Sequence, residues 1–414
     1  MISQAVVLKW NSMSWTERAH QAGVCGAVAL GFVLPISTSL TDALAALVLV
    51  LWFAAGHYKT VVHQVRSNPL VPAALCLFLI LALGMLYSPV SLKVAAKGLK
   101  KYRELLYLIF LIPFLATEKH RVWAQAAFGS GMLVALVYSC FKYLINPEGL
   151  VPAGGMGAAF KDSVIHSFLL AVFAFGLMAH ILFGRQDKNK GMMLGAIFLV
   201  VTLHLFFMVD GRTGFVLYFL LGILLAIQQF KWKGAVIGML LLAGSHLGLN
   251  AVSETYSQQM GRIYDKSQVY LESGSTESSM GKRLDFIVNS ARLWAERPMI
   301  GHGTGSFESR YAVLADARGL DLKTANPHNE YLMIGVQVGL VGVCALLYFI
   351  VCQAFYAFRL SPLNRNLALG VALVTAAGCM GNSVFLNHTE GMVIIYFTAV
   401  FFAPLTLTDN KKDA

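Results

Sequence analysis

Residues 282–307, KRLDFIVNSARLWAERPMIGHGTGSF, and residues 324–342, TANPHNEYLMIGVQVGLVG, decide how the chain is to be read. In the first, Leu284, Ile287, Val288, Ala291 and Trp294 recur at helical spacing, which predicts an amphipathic helix with that apolar stripe on one face. Arg283 and Arg292 lie off the stripe, and Ser278 or Ser279 is placed to cap the helix. A glycine-dense turn, GHGTGS, follows at 301–306. The second stretch passes from polar residues into an apolar run that continues to about residue 353, long enough to cross a bilayer. A polar loop therefore feeds directly into a membrane helix.

The rest of the chain repeats the apolar half of that pattern. Of its 414 residues 57% are hydrophobic and only 13% charged, about half the charge of an ordinary soluble protein. The mean hydropathy is +0.65. Apolar runs at about 20–36, 38–56, 70–88, 103–117, 124–145, 163–184, 191–209, 213–230, 234–252, 330–353, 367–385 and 391–408 predict an all-α polytopic membrane protein of twelve transmembrane helices. That divides the chain into helices 1–9 (1–252), one large loop (253–329), and helices 10–12 with a short tail (330–414). The first half of the loop is Ser-rich and polar, and reads as partly mobile. The N-terminus, with Lys9, Trp10, Trp15 and Arg18 ahead of the first apolar run, does not read as a cleavable signal.

The net charge of +11 is distributed as topology determinants are, which argues for lipid contact and against nucleic acid. Fifteen Lys and Arg fall in the tails and short loops of one side and seven in the short loops of the other. Both termini are thus expected in the cytoplasm and the large loop outside. Residues 88–104 run against the rule. Lys93, Lys97 and Lys101 recur every four residues there, which predicts a surface-lying helix whose cationic face meets anionic headgroups. All six cysteines lie in apolar runs, so neither a disulfide framework nor a metal-ligand spacing follows.

Few residues can carry chemistry. Arg212 sits in VDGRTG, between two apolar runs. Its plain reading is a snorkelling connector residue neutralised by Asp210. Its functional reading is a bidentate grip on a carboxylate or phosphate. Arg283 gains weight only as a second cation beside it. GHGTGS lacks the strand and the Gly-Lys-Ser/Thr ending of a nucleotide loop and reads as a turn re-aiming the chain. His328 is the sharpest candidate. Asn326 as N-cap and Pro327 at the first helical position would place it in the first turn of a membrane helix, where the dipole favours a neutral, proton-accepting ring. The plain alternative is a histidine that merely helps to start a helix. Lys161 with His166, and His388 with Glu390, are supporting candidates at outer helix ends, and the loop offers no acidic pair resembling a metal site.

With these residues in hand, the chain resembles the O-antigen ligase/polymerase superfamily. The likeness rests on Arg-Thr-Gly at 212–214, Arg283 with Trp294, Pro298 and GHGTGSF, and PHNEYL followed by GVQVGLVG. The family often has Ser before the arginine where this chain has Gly211. At about 400 residues it is closer to the lipopolysaccharide ligases than to pilin-type oligosaccharyltransferases. The resemblance implies a GT-C-type, inverting, metal-independent glycosyltransferase in the bacterial inner membrane, with no cofactor. It would move a glycan from undecaprenyl pyrophosphate to lipid A–core at the periplasmic face. It also implies His328 as general base, with Arg212 and Arg283 on the pyrophosphate. Arg292, Lys161, His166 and His388 are expected as further substrate contacts, and Lys97, Lys101 and Arg103 as cations facing the lipid substrates. A polymerase using the same donor, and a lipid-linked glycan transporter, are the rivals. A transporter would be expected to show repeats and discontinuous helices, and the sequence shows neither.

Overall fold

The computed structural model describes residues 12–145, 159–320 and 322–407, so the topology votes of Lys9, Lys411 and Lys412 lie outside the described residues. Every described element is a helix. In chain order they are α1 (Trp15–Val33), α2 (Thr38–Ala54), α3 (Val61–Ser67), α4 (Leu70–Gly84), α5 (Leu92–Lys100), α6 (Glu104–Leu111), α7 (Glu118–Ile145), α8 (Ser163–Phe183) and α9 (Lys188–Met208). There follow α10 (Arg212–Phe230), α11 (Trp232–Val252), α12 (Glu254–Ser273), α13 (Ser279–Glu296), α14 (Phe307–Ala317), α15 (Glu330–Ala357), α16 (Pro362–Gly381) and α17 (His388–Phe402). Side-chain oxygens accept the first free N–H groups at many starts: Ser14, Ser37, Asp162, Asp187, Ser253, Ser278 and Asn329.

Eight of these, α7–α11 and α15–α17, are long and apolar enough to cross a membrane, or nine if α2 and the segment to Ser67, bent by 79°, form one crossing. The count of twelve is therefore not reached by length and apolarity. The other four expected crossings are helical. However, α4 and the helix through Leu115 are short, α2 is bent, and α1 opens on the polar run TERAHQ. The innermost element is α17, buried along almost its whole length and packed against α6, α7, α8 and α16. At the edge, α11 touches α10 and α12 and leaves its other apolar faces open, as a lipid-facing helix does.

Residues 254–273, in the Ser-rich first half of the loop, form one helix, capped by Ser253 and ended by Gly274 at φ 68°. Tyr256, Gln259 and Met260 give it an inward face that the low hydrophobicity conceals. On α13 the buried face is Gly281, Phe286, Asn289, Ser290 and Leu293, not the apolar stripe. The amide of Asn289 is buried with partners in Asp285, Tyr311 and Arg318, while Val288 and Ala291 on the other face are left exposed.

A further correction concerns α15, which is discontinuous: Val338 (φ −131°, ψ 16°) and Gly339 (φ 67°, ψ −160°) break it. The break exposes carbonyls below it and N–H groups above it, and residues 298–305 satisfy both. The amides of His302 and Gly303 donate to the carbonyls of Val336 (2.8 Å) and Gln337 (2.7 Å), while Leu340 and Val341 donate to Pro298 (2.8 Å) and Met299 (3.3 Å). Gly305 N–H donates to the Gln337 side chain at 2.7 Å, and Thr304 N–H caps the end of α4 through Gly84 at 3.0 Å. GHGTGS is thus a turn, with φ of 65°, 95° and 81° at Gly301, Gly303 and Gly305. It is also the plug that closes a broken membrane helix.

Candidate functional site

The site lies at one end of the bundle, where α10 and α13 begin, α16 ends and α17 begins. Gly211 and Gly214 let α10 start hard against α8. A side chain at either would collide with Ser167, and Gly214 N–H donates to Ser167 Oγ at 3.2 Å. Ser167 therefore fills the space that a serine at 211 would need. Arg212, the first residue of α10, donates from Nη2 to Ser279 Oγ at 3.3 Å, at the head of α13. Asp210 makes no direct contact with it: one Asp210 carboxylate oxygen accepts from Gln259 Nε2. Asp210 still attracts the guanidinium through space.

Arg283 sits one turn into α13. Burial and then repulsion from Arg212 pull its guanidinium below the usual arginine range, with Glu390 opposing. Two half-buried guanidiniums that repel one another, beside two helix N-termini, form a place that favours an anion.

His328 lies two residues ahead of α15, not in its first turn. The N-cap is Asn329, whose Oδ1 accepts from Leu332 N–H at 3.0 Å, and Asn326 instead closes a local turn by accepting from His328 N–H at 2.8 Å. His328 has φ 54°, a left-handed conformation uncommon for a residue with a Cβ. Its ring stacks near Phe286, centroids 6.4 Å apart. Its Nδ1 is 3.3 Å from Asn382 Oδ1. Asn382 Oδ1 also accepts from Ser383 N–H, and its Nδ2 donates to Glu390 Oε2 at 3.0 Å. That orientation makes Nδ1 the protonated nitrogen and leaves the Nε2 lone pair free. Burial first, then Arg283, lowers the histidine's proton affinity, against the Asn382 bond. Burial and a neighbouring cation, rather than the helix dipole, are what favour the neutral ring.

The remaining candidates separate. Lys161, lowered to about 8 by burial against the attraction of Asp162, donates to Thr38 Oγ1 at 2.6 Å. His166 turns to His204 in the interior, ring centroids 5.8 Å apart. Arg103 and His388 share Asp42 and Glu104: Arg103 Nη2 is 2.6 Å from Asp42 and His388 Nδ1 2.8 Å from Glu104. This is a network on α2, α6 and α17, adjoining the site through Glu390. Arg292 is not brought to Arg212 and Arg283. Nine residues beyond Arg283, it faces the opposite side of α13, roughly 14 Å along, and bonds Asn289 together with Arg318. Lys97 and Lys101 are exposed on and after α5, whose Ala95 and Gly98 lie against Gly305.

Sequence reasoning passed over Asn382 and Asn387, both of which bond Glu390, and Glu330. Fully buried, Glu330 accepts from Tyr102 Oη and Phe385 N–H, each at 2.9 Å, tying α15 to the turn before α17. The signal was present in GNSVFLNHTEG (381–391), a polar hairpin between two apolar runs. Among the described residues no group of three or more His, Cys, Asp or Glu is placed to hold a metal ion.

Comparison with known proteins places this arrangement. Over 246 residues the chain is 27% identical to a protein of Haemophilus influenzae described as uncharacterized, an alignment covering 56% of this chain and 60% of the relative. The chain thus spans less than two thirds of that relative's length. Residues 197–347 match the family described as O-antigen ligase. The matched segment holds Arg212, Arg283 and His328.

Proposed function

We propose that the protein is an O-antigen ligase of the GT-C type, which transfers a glycan from undecaprenyl pyrophosphate to lipid A–core at the periplasmic face of the inner membrane. The observation that carries the reading is a pair of guanidiniums without a carboxylate salt bridge beside a neutral histidine oriented by Asn382. In this reading Nε2 of His328 takes the proton of an acceptor hydroxyl as its oxygen attacks the anomeric carbon. The bond from that carbon to the pyrophosphate oxygen breaks on the opposite face, so the sugar inverts. The electron pair leaves with the carrier pyrophosphate, whose growing charge Arg212 and Arg283 hold bidentately. The donor is already activated, so the mechanism needs no ATP, and the arginines take the part a divalent ion plays elsewhere.

The break in α15 is the one feature that speaks for a transporter. Residues 298–305 take two of its carbonyls and two of its N–H groups, so the chain's own backbone fills the joint where a passing substrate would bind. The test is transfer by purified protein in detergent, given carrier-linked glycan and lipid A–core, with EDTA and without ATP, beside His328→Ala. A lipopolysaccharide ladder from the wild type alone supports the ligase. Longer glycan still on the carrier makes it a polymerase. Donor binding without product in either protein sinks both readings in favour of transport.

A further inference from the structure

At the end of the bundle opposite Arg212 and His328, α7, α8, α9, α16 and α17 enclose a cavity of about 800 Å³. Its walls are apolar, among them Phe128, Leu133, Phe173, Val371 and Phe397. Along α7 the lining runs from Glu118 to Leu133. That is about 22 Å of helix, against a leaflet hydrocarbon depth of about 15 Å. The mouth carries three cations, Arg121, Arg185 and Lys190, against Glu118 in the lining and Asp187, which caps α9 at the same turn. Arg121 is buried and fixed there, its Nη1 donating to the carbonyls of Leu115 and Ala116, while Arg185 and Lys190 are exposed at the α8–α9 turn.

We propose that this cavity is a binding site for an anionic phospholipid of the leaflet opposite the arginine–histidine site, with acyl chain inside and phosphate at Arg185 and Lys190. Walls this largely apolar offer water few partners, and an acyl chain makes the van der Waals contacts that they favour. The charge at the mouth selects a negative head. The occupant is not the glycan carrier of the proposed reaction, whose pyrophosphate would sit at the other end. The inference stands whether or not the protein is a ligase.

The experiment is native mass spectrometry of detergent-purified protein, followed by titration with dioleoyl-phosphatidylglycerol and dioleoyl-phosphatidylcholine. Wild-type protein should retain an anionic phospholipid and bind the glycerol lipid roughly thirtyfold more tightly, as two basic residues near a headgroup imply. Arg185→Ala with Lys190→Ala, both at exposed positions, should abolish that preference. Gly176→Leu should abolish uptake of both lipids, because Gly176 lines the cavity and has open space where a side chain would point. Thermal melting checks that each variant folds, and the exposed double variant carries the test if Gly176→Leu does not. Equal affinity for the two lipids in the wild type overturns the proposal. So does a retained polyprenyl phosphate, or a well-folded Gly176→Leu that binds as the wild type does.

Discussion

Nε2 of His328 can act as a base only while the ring is neutral. Because burial and Arg283 lower its pKa below 6.5, the neutral form prevails above that value, and activity falls as pH drops through it. The acid limb of kcat/KM for transfer is therefore expected below 6.5, and Arg283→Gln, which removes a neighbouring positive charge, should move any residual limb upward. A wild-type limb at 7 or above would contradict the assignment. Asn382→Leu should lower kcat about 100-fold with little change in KM, since Asn382 orients the ring and touches no substrate in this reading. Arg212→Ala should abolish transfer, and Arg212→Lys should restore little, because an ammonium lacks the planar fork; near-normal turnover by the lysine variant would remove the bidentate argument. At this scale the sequence was informative about which residues carry charge and uninformative about their company. Nothing in VDGRTG says that Asp210 bonds Gln259, 49 positions away, while Arg212 reaches Ser279.

Among the elements, the break in α15 makes the sharpest demand. Gly339 holds φ 67°, and a side chain there would run into the backbone of Met299; one at Gly303 would meet the backbone of Ser88. Gly339→Ala and Gly303→Ala should each destabilise the protein by roughly 2 kcal/mol or more, read as a lower melting temperature in detergent. Gly222→Ala, mid-helix with open space around it, should be neutral or stabilising by up to about 1 kcal/mol. Equal losses at all three positions would mean that the junction carries no special strain. Helix existence was legible because caps and apolar runs are local signals: Ser278 starts α13 where the sequence places it. The break was not, because Val338 and Gly339 read as an ordinary apolar helix pair, and their partners lie some forty residues upstream. The face of α13 was misread for a related reason: apolarity alone does not say that Asn289 finds Asp285 and Tyr311 as partners inside.

For the molecule as a whole, the membrane class followed from composition, while the number of crossings did not, since α4 and α6 are shorter than a bilayer is thick. The cationic helix α5 tests the orientation. A cysteine replacing Lys97, which is exposed, should react with a membrane-impermeant thiol reagent added from the periplasm, and one replacing Lys188 should not. Reaction of the first only after permeabilisation would reverse the proposed topology. The fit between residues 298–305 and the broken helix also bears on how the protein could be recombined. Those residues bond backbone atoms of α4 and α15, so the outer segment is not a cassette. A chimera that exchanges residues 253–329 with a relative would graft a foreign plug into a native socket. Only an exchange that carries residues 81–98 and 330–341 along with the loop keeps the two halves of that joint from the same parent.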